Sequence, residues 1–381
     1  MEEFLNFLKD LIQALGISVS ESDIREESKV AGVFLDKLNR YLYQQDDTLN
    51  KEYISRFHKF WETEHPQILN ITVDDKQCLR VAGVFELIYA NPDKYLQYQI
   101  KPPINREGIS DRDVANVRFF TAIQDFKINI HKGGRNPFKQ FIENPEWFTA
   151  SHVMRNPSII DNFLRYLEAA GSQGDKRYKW MLAAAEFLIE EHQGDAYNIC
   201  STYNKDAFAI REALASRGYL GYSYKKADMF LRDMSDWGIW SYLESSKLDV
   251  ASDVNTMRVA LRSGVIKTRF PLLASYLDVY CYQYGLVDNK SSEAWRRTWE
   301  LWDTLPDNHR PLAPANMDYL LYQSIGKTVC RPKPKCSICI LNSVCPQESR
   351  HLNPPKSISQ KGATGWDSGI TTEGGGGGIM S

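Results

Sequence analysis

The run AIREALASRGYLGYSYKKADMFL, Ala209–Leu231, decides how the rest of the chain is read. Ile210 and Leu214 before the turn, and Ala227, Phe230 and Leu231 after it, recur at helical spacing, so two short helices flank a tight turn at Gly221. A glycine lets backbone N–H groups point outward at a helix N-terminus, where they can hold an anion. Gly221 and Ser223 lie in this turn, and Lys225 and Lys226 follow at the start of the second helix. A lysine there opposes the positive end of the helix dipole, which favours the free amine, the nucleophilic form.

Helical spacing extends outward from this hairpin. Stripes occur at Val114–Ile130, Ile159–Leu167, Tyr178–Ile189, Ala207–Leu214, Lys225–Met234 and Thr256–Val265, and earlier at Phe4–Leu15 and Val30–Leu42. The fold class read from them is all-α. The pentapeptide VAGVF stands at Val30–Phe34 and again at Val81–Phe85, a weak sign of two related helical units. QIKPPINREGIS, with its prolines and glycine, marks a boundary near residue 100. The expected organisation is an N-terminal helical domain over 1–100, a main domain over 101–325, a cysteine loop over 326–350 and a disordered tail over 351–381, where five glycines run from Gly374 to Gly378.

The chain has 381 residues, 43% hydrophobic and 25% charged, a globular balance. No run of eighteen apolar residues occurs, and the start carries acids where a signal peptide needs a basic, then apolar, opening. A cytoplasmic protein without a membrane partner is expected. The net charge of −2 excludes a global positive field, but it is the sum of −6 over residues 1–100 and +4 beyond. The segment Gly326–Gln360 alone carries +5.

Four of the seven cysteines fall within sixteen residues: Cys330, Cys336, Cys339 and Cys345. In a reducing compartment that clustering points to metal rather than disulfides. One close pair with an outlying cysteine on either side suits two kinds of centre, a zinc ion or a [4Fe–4S] cluster, since both take four thiolates.

The run NMDYLLYQSIGKTVCRPKPKCSICILNSVC resembles the C-terminal cluster loop of the endonuclease III and adenine-glycosylase branch of the helix-hairpin-helix DNA glycosylases. The resemblance implies a [4Fe–4S] cluster on the four cysteines, with Arg331, Lys333 and Lys335 approaching the DNA backbone; the first cysteine gap is five residues where the family commonly has six. The hairpin is similar to that family's as well, with Leu220 in place of its proline and Ser223 in place of its second glycine, which implies that Gly221 and Ser223 hold a DNA phosphate. The run Lys225-Lys226-Ala227-Asp228 resembles the K-x-A-D of members that cleave by a lysine Schiff base, with Lys225 in the catalytic register and Lys226 beside it as a phosphate contact.

LDVASDVNTMRVALRSGV is similar to the family's V-D-x-H-x-x-R-V segment, which assigns the catalytic carboxylate to Asp253, with Asn255 where histidine is frequent, Arg258 at the arginine and Asp249 as the alternative carboxylate. Read without the resemblance, Asp253 caps a helix. Gln124 loosely matches a family glutamine that helps fill the gap left by an extruded base, and Trp237, Trp240 and Tyr242 lie in an insertion where they bear on the flipped base or pack in the core. Together these imply a two-lobed all-α glycosylase fold with an extra N-terminal helical domain. They also imply a base-excision DNA glycosylase with AP lyase activity, acting on duplex DNA with a damaged, oxidised base. The alternatives are a monofunctional glycosylase, or a catalytically silent DNA-binding protein that keeps hairpin and cluster. The acidic N-terminal domain reads as a packing element or a surface for a protein partner.

Overall fold

The computed structural model describes residues 70–346, except 105, 107, 126–135, 172, 269–285 and 332–333, together with residues 6, 9 and 13. The N-terminal stripes, the first VAGVF, the glycine-rich tail and Lys333 lie outside the described residues. In chain order the elements are β1 Thr72–Val73, α1 Asp75–Ala90, α2 Asp111–Gln124, α3 Pro137–Glu143, α4 Ala150–Arg155, α5 Ile159–Tyr166, α6 Gly174–His192, α7 Ile199–Thr202, α8 Ala207–Ala215, α9 Tyr224–Asp236, α10 Val254–Ser263, β2 Ile266–Lys267 and α11 Leu286–Trp302. A π-helical stretch, Leu320–Lys327, leads into the cysteine loop. The fold is all-α: among the described residues 66% are helical and 2% are in strands. Among the described residues no helix is long and apolar enough to cross a membrane.

The chain forms two compact units that are not consecutive in sequence. Within the described residues, unit 1 gathers 70–98, 252–310 and 321–346, and unit 2 holds 99–251 and 311–320. One break falls at residue 98, in the proline-bearing stretch. The break at 251 has no such mark, so α10 and the cysteine loop belong with α1 rather than with the hairpin.

Unit 1 is built on α1 against α11. Asp74 caps α1 by accepting the Gln77 N–H at 3.1 Å, and a buried stripe of Cys78, Val81, Ala82, Phe85 and Ile88 faces α11. Phe85 meets the rings of Trp295 and Trp302 at 6.3 and 6.1 Å, and both tryptophans are fully buried. A buried indole usually finds a partner for its N–H. Trp302 Nε1 donates to Glu86 Oε2 at 2.5 Å, and that carboxylate also accepts the His309 backbone N–H at 2.9 Å and pairs with its ring nitrogen at 2.5 Å. Burial raises the Glu86 pKa, but these donors outweigh it and hold the carboxyl below its usual range. The two strands pair antiparallel, Thr72 opposite Lys267 and Val73 opposite Ile266.

Unit 2 packs α2 and α6 at its centre, around Phe119, Phe120, Phe148, Phe163, Phe187 and Phe230. A buried charge network ties α2 to α9: Arg118 Nε reaches Asp233 at 2.6 Å, and Arg232 bridges Asp233 and Asp318. The aromatics of the insertion go into this core. Trp240 is 5% exposed, Tyr242 Oη donates to Leu231 O at 2.9 Å, and Trp237 Nε1 donates to Pro102 O at 3.0 Å while its ring meets Phe138 edge-on. Of the two readings left open for these residues, packing is the one their surroundings support.

Because Trp302 fills the centre of unit 1 and saturates Glu86, Trp302→Ala is expected to cost about 3–5 kcal/mol, measured as a lowered guanidinium midpoint.

Candidate nucleic-acid interface and cysteine loop

In unit 2 the hairpin is α8, a 3₁₀ turn at Gly218–Leu220, Gly221 and α9. Gly221 has φ +76°, and a Cβ there would sit 2.5 Å from Trp180 Cγ and 2.9 Å from Ile123 Cγ2. Both conformation and space therefore require glycine. Ser223 caps α9, its hydroxyl accepting the Lys226 N–H at 3.4 Å. The two helices are clamped by Arg211, which donates to Asp228 Oδ1 at 2.5 Å and Oδ2 at 3.1 Å and lies 4.5 Å from the Tyr224 ring centre. Burial pushes the Asp228 carboxyl up to about 6 against the pull of Arg211, and Asp249 and Glu212 add to the rise. Asp249 thus sits in the electrostatic field of this clamp.

The two adjacent lysines differ sharply. Lys225 is exposed. Lys226 turns inward: its Nζ donates to Ile123 O at 2.7 Å and Gly221 O at 2.9 Å and lies 4.8 Å from the Trp180 ring centre. Burial pulls its pKa down to about 7, Arg177 and Lys176 pull the same way, and Asp125 opposes them. Lys226 is therefore part of the hairpin's own framework, a correction to its expected place as a phosphate contact. Gln124 also differs from expectation. It is fully buried, its Oε1 accepting from Arg177 Nη1 at 3.3 Å while Arg177 Nη1 also donates to Gln124 O at 2.7 Å, so its amide joins α2 to α6 instead of facing outward.

In unit 1, Asp253 caps α10 through a capping box. Its Oδ1 accepts the N–H groups of Asn255 at 2.8 Å and Thr256 at 2.9 Å, and Thr256 Oγ1 accepts the Asp253 N–H at 2.7 Å. The other oxygen, Oδ2, accepts from Asn255 Nδ2 at 2.9 Å. Asn255 Oδ1 in turn accepts from Arg258 Nη2 at 2.7 Å, and Arg258 also donates to Gly326 O at 3.0 Å and to Cys330 O at 2.7 Å. A chain of three side chains thus joins the buried carboxylate to the first cysteine of the loop. Gly326 allows the approach, since a Cβ there would stand 2.8 Å from Asn255 Cβ.

The four cysteines line one cavity with Arg262 and Asn342. Arg262 Nη1 lies 3.5 Å from Cys330 Sγ and donates to Arg331 O at 2.6 Å, while Arg262 O accepts from Cys345 Sγ at 2.8 Å. Burial and the neighbouring thiols push Cys339 up to about 11; a bound cation reverses that sign by taking the thiolate. Among the described residues no three His, Cys, Asp or Glu side chains close to the spacing of a single ion. Arg331 and Lys335 are exposed.

Two residues that the sequence reading did not single out brace the loop. Gln77 Nε2 donates to Ser263 O at 2.6 Å and Val344 O at 2.7 Å, and the Tyr98 hydroxyl donates to Ile338 O at 2.6 Å and accepts the Ile340 N–H at 2.8 Å. Both come from 70–98, so the described part of the expected N-terminal domain acts as the scaffold of the cysteine loop. Trp180, which fills the space beside Gly221, was not singled out as a site residue either. No protein-family model and no curated protein matches the chain.

Gly221→Ala is expected to cost about 2 kcal/mol or more from the positive φ and the clash with a ring that cannot move freely, read as a lower unfolding midpoint. An unfolded lysine titrates at about 10.4, so between pH 7 and 10 the unfolded chain binds a proton that Lys226 in the folded protein does not. Lys226 therefore makes stability rise as pH climbs from about 7 to about 10, and guanidinium midpoints across that range should show a rise in the parent protein that Lys226→Met lacks.

Proposed function

We propose that the protein is a base-excision DNA glycosylase with AP lyase activity, of the helix-hairpin-helix, endonuclease III-like kind, acting on duplex DNA that carries a damaged, oxidised base. The observation that carries the reading is the side-chain chain from Asp253 through Asn255 and Arg258 to Cys330 O: a carboxylate oriented for chemistry and a basic cysteine loop are one construction. The glycine-forced hairpin with an exposed lysine at its helix start is the second support.

A base inside the duplex hides its glycosidic bond, so the nucleotide is flipped out before reaction. As the C1′–N bond breaks, its electron pair leaves with the base and positive charge grows on the sugar. Asp253 answers that charge, its orientation fixed by three N–H donors. The Lys225 Nζ forms a bond to C1′ and gives up its proton; opening of the sugar leaves a Schiff base, from which loss of a C2′ proton expels the 3′ phosphate. The turn at Gly221 and Ser223, with Arg331 and Lys335 on the loop, binds the backbone.

On this reading the four cysteines would hold a [4Fe–4S] cluster. They share one cavity with a guanidinium beside Cys330 Sγ, and a cubane spreads its thiolates more widely than a single zinc ion does. When bound, the cluster supplies a rigid, DNA-docking loop and no redox step. Iron and sulfide analysis with a visible spectrum tests this; a colourless protein with one zinc overturns it.

Borohydride trapping on a duplex with one abasic site tests the lyase. A covalent adduct is expected from the parent protein, a slower-forming one from Lys226→Met, whose amine braces the hairpin, and none from Lys225→Gln. An adduct lost in Lys226→Met but kept in Lys225→Gln would move the nucleophile by one residue. No adduct from a cluster-loaded, DNA-binding protein would leave a monofunctional glycosylase or a silent binder. Asp253→Asn should slow base release by about 10²-fold or more, with duplex affinity kept.

A further inference from the structure

The most unusual group in unit 2 is the Lys226 ammonium, held inside the hairpin with both backbone partners drawn from turns. Gly221 O is the carbonyl of the tight turn itself, and Ile123 O lies in the last turn of α2. Trp180 covers the site, with Lys226 Nζ 4.8 Å and Lys176 Nζ 5.3 Å from its ring centre, and fills the space that a side chain at 221 would need. The charged groups facing Lys226 are Asp125 at the end of α2, and Arg177 and Lys176 on α6.

We propose that Lys226 is the positioning residue of the hairpin: its amine ties the Gly221 carbonyl to that of Ile123 and so sets the direction in which the turn, Ser223 and Lys225 are presented to DNA. This rests on the reading of the hairpin as a phosphate-binding turn. A carbonyl fixed from behind fixes the plane of its peptide, and with it the N–H that a phosphate would meet. The ammonium makes charge-assisted bonds to both carbonyls and a cation–π contact; the neutral amine keeps its donors but loses that strength. The tie therefore weakens as pH rises through the range in which this amine titrates, about 7.

The test is affinity for an intact, undamaged duplex, measured by fluorescence anisotropy between pH 6 and 9 and at several salt concentrations, for the parent protein, Lys226→Met and Lys226→Arg. The parent should lose about tenfold in affinity across this range, the effect of weakening charge-assisted bonds. Lys226→Met should be weak at every pH, and Lys226→Arg, which stays charged, should be tight at every pH. The salt slope should be the same in all three. If Lys226→Met matches the parent in affinity and pH profile, the proposal fails. It fails too if the slope falls by about 0.9, because Lys226 would then be neutralising a phosphate itself.

A protein-only reading separates this failure from failure of the DNA assignment. Tryptophan emission should titrate near pH 7 in the parent and not in Lys226→Met or Trp180→Phe. That titration in a protein that binds no duplex would uphold the tie and overturn the DNA reading, and its absence from the parent would overturn the tie.

Discussion

The buried guanidinium of Arg258 is the interaction on which unit 1 depends. It is 4% exposed, and a charge so placed is tolerated when its donors are used. Here they reach the carbonyls of Gly326 and Cys330 and the amide oxygen of Asn255, so one side chain joins the start of α10, the π-helical stretch and the first cysteine. Removing one partner of such a network leaves a buried charge uncompensated, which costs several kcal/mol and exceeds what any single bond contributes. Asp253 inherits its orientation from this arrangement, since Asn255 accepts from Arg258 on its oxygen and donates to the carboxylate from its nitrogen. An asparagine suits this relay because it offers both a donor and an acceptor.

What was legible in the sequence was local. The helices flanking Gly221, the capping role of Asp253 and the all-α class follow from 3.6-residue periodicity and from residues whose backbone demands are intrinsic. The supports of the site were not legible because they are distant in the chain. Gln77 and Val344 are 267 residues apart, and nothing near Gln77 marks it as a brace for a loop that far away. The pairing of 70–98 with 252–310 had the same cause. Gln124 and the insertion's aromatics show the opposite limit: residue type and position suit either DNA contact or burial, and packing decided between them. The cysteine quartet was legible as a cluster: Cys330, Cys336, Cys339 and Cys345 stand within sixteen residues and line one cavity.

Lys225 and Lys226 are neighbours in sequence with opposite surroundings, and the pair shows how a helix start can use two cations. A helix N-terminus disfavours positive charge, so neither lysine is placed there for helix stability. Lys226 reaches back to two carbonyls, whose negative ends offset both the dipole and the loss of water, and its depressed pKa shows that the offset is incomplete. Lys225, one residue earlier, is exposed. On the proposed reading Lys225 is the nucleophile, and holding Lys226 inside gives it a fixed base from which to act. A nucleophile must reach its carbon within a narrow range of angles, and rigidity behind it is worth more than an extra contact in front. The cost of holding Lys226 inside appears as stability forgone below pH 10.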